Sequence, residues 1–206
     1  MEIEKLVEDG TINGYPDASF RPKEGISRGE LAKIIFVTLE LEENKDAADH
    51  FVDVRGKWHA GYIGELYDSK IMLGTSDTSF DADRNVSREE LSLIALRIFD
   101  LEGLAGELAL ETDFKDKEDI ASWSKDAVGL IRELGLINGI QVEDGGSKFQ
   151  PKDFAERELV AKVVYELKYQ MEDYKGLIEE ILKEIKEEKK EGKKEEQRMI
   201  SLIIVK

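Results

Sequence analysis

One short pattern is written three times in this chain, and a repeat of that size dictates a fold assembled from like units. Gly14-Tyr15-Pro16-Asp17-Ala18-Ser19-Phe20 is followed, eight residues after the phenylalanine, by Arg28 within Ile26-Ser27-Arg28-Gly29-Glu30-Leu31. Gly74-Thr75-Ser76-Asp77-Thr78-Ser79-Phe80 is followed at the same interval by Arg88 within Val86-Ser87-Arg88-Glu89-Glu90-Leu91. A looser third copy pairs Phe149 with Arg157, again eight apart.

The upstream half of each unit repeats as well. Trp58 lies 16 residues before Gly74, and Trp123 lies 16 before Gly139. Phe51-Val52-Asp53-Val54 and Phe114-Lys115-Asp116 precede those tryptophans. Apolar residues fall 11 and 8 positions before the glycine in all three copies: Ile3 and Leu6, Ile63 and Leu66, Val128 and Ile131. Counting back from Gly14 puts the matching tryptophan three residues before Met1, so the first unit reads as clipped at its start.

Each unit reads as helix, loop, helix. In the second, Trp58, Tyr62, Ile63, Leu66, Tyr67 and Met72 fall at helical spacing. That predicts a helix from Trp58 to Met72, stopped by Gly74 as a left-handed cap. Ser87 then caps the next helix, with Glu90 at capping-box spacing, and Ser27 and Glu30 do the same in the first unit. The third unit has four extra residues between Gly139 and Phe149, Glu156 at the cap position, and Leu159 where Glu30 and Glu90 stand. No capping box is expected there. Residues 42–50 and 102–113 read as connectors, the second apolar enough for a packed loop or short helix. A lone helix-loop-helix cannot bury its apolar stripe, so neighbouring units must cover it.

Beyond the repeats the last helix is expected to run on. Leu167, Met171, Tyr174, Ile178, Ile181 and Ile185 alternate intervals of four and three, a heptad seam through which copies of the chain would pair over residues 167–185. Residues 186–198 are almost wholly charged, and 199–205 form an apolar, strand-like run that reads as the edge of a further domain. The domain layout is therefore repeats over 1–41, 51–101 and 114–168, a coiled-coil-like charged segment over 169–198, and the start of another domain over 199–206.

Charge narrows the partners. The formal net charge is −16, and residues 1–169 hold 36 acids against 21 bases. Such a surface repels nucleic-acid phosphates and anionic lipid, so nucleic acid is not an expected partner. An anionic ligand must be caught by a local cluster of cations. The chain has no cysteine, which excludes disulfides and thiol-held metal. No run approaches the roughly 18 apolar residues of a membrane span, and Met1-Glu2-Ile3-Glu4-Lys5 has no signal-peptide core. Asp81-Ala82-Asp83-Arg84-Asn85 fails as a calcium loop, because Val86 and Ser92 stand where glycine and glutamate are needed. The two histidines, His50 and His59, lack partners for a metal site or a catalytic triad. No enzyme, cofactor or metal is expected.

The repeated arginines Arg28, Arg88 and Arg157 are the leading site candidates. Each opens a helix just after the loop that carries the glycine and phenylalanine. A helix N-terminus offers unpaired N–H groups, and a guanidinium adds a planar two-toothed donor, a combination suited to a carboxylate. The bland alternative is an internal ion pair. Asp17 and Asp77 share one loop position; they either accept from sugar hydroxyls or hold the turn through their own backbone, and the second reading is preferred. Trp58 and Trp123 read first as core and second as platforms for a sugar ring. Tyr15 and Phe20 carry the same ambiguity, while Ser27 and Ser87 are caps first and ligand contacts second.

Units of this kind, with Phe-x-Asp-Val, Trp, Gly-Tyr-Pro-Asp-x-x-Phe-x-Pro and Ser-Arg-x-Glu at fixed spacings, resemble the S-layer homology family over roughly residues 1–168. The resemblance implies a mainly α-helical fold, with the three repeats bundled about a pseudo-threefold axis; the residue pattern beyond them adds a long charged helix. It implies an extracellular location, in the cell wall or S-layer. It further implies non-catalytic anchoring, in which Arg28, Arg88 and Arg157 face grooves between units and hold the pyruvylated sugar end of a secondary cell wall polysaccharide. The alternative is an assembly scaffold with a vestigial site, oligomerising through the C-terminal helix.

Overall fold

The computed structural model describes residues 2–173, 175–185 and 187, and the chain divides into two compact units, Met1–Tyr169 and Gln170–Lys206. In the larger unit, α1 (Glu2–Glu8) and α2 (Arg28–Thr38) form the first repeat. A short connector helix, α3 (Lys45–Ala48), leads into α4 (Ala60–Asp68) and α5 (Arg88–Ile98) of the second. The other connector folds as α6 (Glu102–Leu108) and leads into α7 (Lys125–Glu133) and α8 (Arg157–Tyr169) of the third. The extra residues of the third loop form a hairpin, β1 (Ile140–Gln141) with β2 (Ser147–Lys148), paired antiparallel.

The repeat that recurs in sequence is not the unit that packs. The first helix of each repeat lies against the second helix of the repeat before it: α4 on α2, α7 on α5, and α1 on α8, which closes the ring. The long helices α2, α5 and α8 meet at the centre through Leu31, Ile35, Leu91, Ala95, Val160 and Val164, all buried. Full burial of an aliphatic chain contributes about 1.5–3 kcal/mol, so this shared core is one of the forces that bind the repeats into one body. The mainly α-helical fold expected from the sequence is what forms.

Three local expectations change. The helix expected from Trp58 to Met72 is only α4, Ala60–Asp68. It ends with Ser69 as cap and Lys70 in the left-handed region at φ 61°, so Gly74 is not its stop. Gly74 is small for another reason: a Cβ there would lie 2.5 Å from the Phe51 ring and 2.5 Å from the Ser76 carbonyl oxygen. Gly139 meets the ring of Phe114 in the same way, also at 2.5 Å. The glycine and the phenylalanine of Phe-x-Asp are thus one packing pair.

The third change concerns the C-terminal helix. It does not run on, because α8 stops at Tyr169, Gln170 is a bend, and residues 171–173, 175–185 and 187 are helical within the second unit. Leu167, the first member of the expected seam, is buried in the repeat core rather than offered to another copy. Tyr174, and the expected features at 188–206, lie outside the described residues.

One inter-repeat contact breaks the symmetry. Glu89 of α5 is buried and accepts from Ala121 N at 3.0 Å, Ser124 Oγ at 2.9 Å and Lys152 Nζ at 2.5 Å. The first repeat has Gly29 at that place, and His59, the counterpart of Ser124, stands 3.1 Å from where a Cβ of Gly29 would be. His59 is 1% exposed, and neither ring nitrogen has a hydrogen-bond partner among the described residues. Burial, helped by Lys57, pushes its pKa down, against the pull of Asp83 and Asp53. The unfolded chain therefore binds the proton more readily than the folded one. Stability is complete above the unfolded value of 6.5 and falls as pH drops below it. Thermal melts at pH 7 and pH 5 are expected to show a lower Tm at pH 5, with the difference much reduced in His59→Gln. An unchanged slope in that variant would assign the effect elsewhere.

Candidate functional site

Each conserved-spacing arginine reaches out of its own repeat into the loop of the next. The Arg28 guanidinium donates from Nε to the Phe80 carbonyl at 2.8 Å and from Nη2 to the Leu73 carbonyl at 2.6 Å. Arg88 donates likewise to Phe149 O at 2.7 Å and Asn138 O at 2.9 Å. Arg157 donates to Phe20 O at 2.9 Å and Asn13 O at 2.8 Å, so the third repeat closes onto the first. Each guanidinium also lies over the ring of the same phenylalanine, with its carbon 4.4 Å from the ring centre of Phe80, 5.2 Å from Phe149 and 4.8 Å from Phe20. All three are buried, at 4%, 7% and 6% exposure respectively. These side chains lock the ring together.

The helix N-termini are not open to an anion, contrary to the expectation drawn from sequence. Arg28 N and Gly29 N donate to the Arg84 and Ala82 carbonyls of the next loop. Arg88 N and Glu89 N donate to Asp153 and Pro151, and Arg157 N and Glu158 N to Glu24 and Pro22. The third amide of α2 and of α5 is taken by the capping serine: Glu30 N to Ser27 Oγ and Glu90 N to Ser87 Oγ, both at 3.3 Å. Both capping boxes form as the sequence predicts, so Ser27 and Ser87 are occupied as caps.

The loop itself is held by a residue to which sequence reasoning gave no role. Asp53 accepts from Phe80 N at 3.0 Å and Asp81 N at 2.8 Å, and Asp116 accepts from Phe149 N and Gln150 N, both at 2.8 Å. Its recurrence two positions after the phenylalanine was the available signal. Asp17 holds its own turn, accepting from Ser19 N at 3.0 Å and Ser19 Oγ at 2.5 Å. Those bonds, with Arg21, bring its carboxyl down to about 2. In the second repeat Ser76 Oγ does that work, accepting from Ser79 N at 3.1 Å. Asp77 is exposed on the same loop.

Among the described residues, two clefts between repeats are related by the threefold pattern. The first, about 280 Å³, is bounded by Arg157, Gly14, Glu30, Lys33, Ile34 and Trp58. The second, about 390 Å³, is bounded by Arg28, Gly74, Glu90, Leu93, Ile94 and Trp123, in matching positions. Both sit near the low end of the roughly 300–1,000 Å³ typical of small-molecule sites, room for one or two sugar rings. Trp58 and Trp123 are 60% and 52% exposed, so the preference for a core role is overturned. They precede their helices instead of opening them, because α4 starts at Ala60 and α7 at Lys125, and the indoles stand at the cleft mouths. An exposed indole beside a buried guanidinium offers a flat apolar face next to a cation, the pair of surfaces an acidic sugar presents in reverse.

Comparison with known proteins gives a consistent family. The family model for the S-layer homology domain matches residues 2–32 and 50–92. The chain is 30% identical over 167 residues to the exoglucanase XynX of Acetivibrio thermocellus, covering 80% of this chain and 15% of that protein. It is 31% identical over 150 residues to the surface-layer 125 kDa protein of Lysinibacillus sphaericus, covering 72% of this chain and 12% of that one. The S-layer protein sap of Bacillus anthracis is 27% identical over 150 residues, 73% of this chain and 17% of that protein. The chain thus spans less than a fifth of the length of each of these relatives.

Proposed function

Since the chain belongs to the S-layer homology family, we propose that it anchors a protein to the cell wall by holding an acidic wall polysaccharide in the clefts between its repeats. The observation that carries this reading is the pairing, twice over, of a buried arginine edge with an exposed tryptophan across one cleft. The ligand class is a sugar terminus bearing a carboxylate, for which a pyruvylated end of secondary cell wall polysaccharide has the right charge and size. The role is binding without catalysis, at the cell surface. Among the described residues no helix is long and apolar enough to cross a membrane, and attachment through polysaccharide needs none.

The relatives include both surface-layer proteins and polysaccharide-degrading enzymes, and this chain matches only a small part of each. A shared segment in proteins of such different named activities fits a common means of attachment better than a common reaction. Cosedimentation with purified wall polysaccharide tests the proposal. The chain is expected to pellet with the native polymer and to stay in solution with polymer whose pyruvyl groups have been removed by mild acid.

A further inference from the structure

The carbonyls that receive the three arginines belong to three different dipeptides. Through Nη2, Arg28 reaches the first residue of Leu73-Gly74, Arg88 that of Asn138-Gly139, and Arg157 that of Asn13-Gly14. An asparagine followed by glycine is chemically labile. With no Cβ on the following residue, the backbone turns freely and its nitrogen is open to the asparagine side chain.

The two Asn-Gly pairs are not alike. Asn138 donates from Nδ2 to Gly135 O at 3.3 Å, which ties its amide to the chain just past α7. Asn13 and Gly14 are both exposed, and among the described residues neither the Asn13 amide nor the Gly14 nitrogen has a hydrogen-bond partner. The segment is pinned on either side. Ile12, 2% exposed, donates its N–H to Leu6 O at 3.0 Å, and Tyr15 donates to Ser19 O at 2.8 Å. Glu30 and Lys33 also border this cleft, but the group that donates to the Asn13 carbonyl is Arg157, at 2.8 Å.

We propose that Asn13-Gly14 is a self-modifying site, where Arg157 directs the conversion of Asn13 to isoaspartate and the product loosens the closure of the third repeat onto the first. The Gly14 nitrogen loses its proton and bonds to the Asn13 side-chain carbonyl carbon; the bond from that carbon to the amide nitrogen breaks, and ammonia leaves. The product is a cyclic imide. Water then adds to one of its two carbonyl carbons. Addition at the former main-chain carbon breaks the bond to Gly14 N and leaves a carboxylate there, with the chain now running through the former side-chain carbon. One water is consumed, one ammonia is released, and no electrons are transferred.

Arg157 acts on both steps as a positioning residue. Its hydrogen bond draws density from the Asn13 carbonyl, which acidifies the Gly14 N–H and stabilises the oxyanion formed when water adds at that same carbon. The carboxylate that results faces a guanidinium, a stronger pair than the carbonyl made. Isoaspartate is therefore favoured over aspartate. It also puts one more methylene into a backbone fixed at Ile12 and Tyr15, where Gly14 is already packed so closely that a Cβ would lie 3.0 Å from Ser19 O. The turn that carries Phe20 to Arg157 must shift to accept it. The second repeat, with Leu73 in this place, is exempt.

The full chain is aged in mildly alkaline buffer beside a synthetic peptide of residues 9–20, and both are read by mass spectrometry with electron-transfer fragmentation, which separates isoaspartate from aspartate. Asn13 is expected to convert in the folded chain at least about tenfold faster than Asn138. Its ratio of isoaspartate to aspartate is expected to be at least about threefold higher than in the peptide, which lacks Arg157. The aged chain is expected to melt about 2–4 °C lower than the fresh one. Asn13→Leu, which copies the second repeat, is expected to keep its Tm on ageing. Asn13 intact in the folded chain while the peptide converts would overturn the proposal, as would Asn138 converting equally fast. A product ratio equal to the peptide's would remove Arg157 from the chemistry, and an unshifted Tm after full conversion would remove the loosening.

Discussion

Truncating Arg28 to alanine is expected to destabilise the repeat unit by about 3–5 kcal/mol, the range for breaking a buried ion pair on one side only. The side chain reaches from the first repeat into the second, where it satisfies the Phe80 and Leu73 carbonyls and faces Glu90. Its loss leaves two carbonyls without their donor and one carboxylate partly uncompensated. Arg28→Lys restores the charge but not the fork that serves both carbonyls at once, so it is expected to recover only part of the loss. Urea unfolding followed by circular dichroism checks both variants. A loss under about 1 kcal/mol for Arg28→Ala would mean that the ring is held by its apolar core alone. The same reasoning makes arginine-to-alanine variants poor probes of ligand binding, because a chain that loosens between repeats loses its clefts whether or not the arginine touches sugar.

Replacing Phe80 with alanine is expected to cost about 3–5 kcal/mol as well, and not independently of Arg28. Phe80 is fully buried, its ring centre lies 5.4 Å from that of Phe51, and Arg28 stacks on its other side. Its amide is held by Asp53 and its carbonyl by Arg28, so one residue joins the Phe-x-Asp motif, the loop and the preceding repeat. A double-mutant cycle of Arg28→Ala with Phe80→Ala is expected to give a coupling of about 0.5–3 kcal/mol, since both variants remove the stacked pair. Additive losses would show that the stacking contributes nothing measurable.

The repeats, the capping boxes and the helical class were legible because each rests on short-range spacing. Ser27 with Glu30 and Ser87 with Glu90 are set three residues apart, and the bonds form at those places. The arginine contacts were not legible, because Arg28 to Phe80 spans 52 residues and Arg157 to Phe20 spans 137. Fixed spacing within a repeat shows that an arginine matters, but not that its partner is in the next repeat. The tryptophans were misread for a related reason. Helical periodicity includes Trp58 with Tyr62 and Leu66, yet the helix begins two residues later, so the indole escapes the buried face. Glu90 looked like a cap alone, and its second role on Arg28 and Arg84 is set by the way successive repeats dock.

Wall attachment through a carboxylate-bearing sugar is tested most directly by the paired sedimentation of this chain with polysaccharide before and after its pyruvyl groups are stripped. Retention on the native polymer together with release from the stripped one is the result expected of clefts built around buried guanidinium groups. Equal pelleting with both polymers, or with neither, would contradict it.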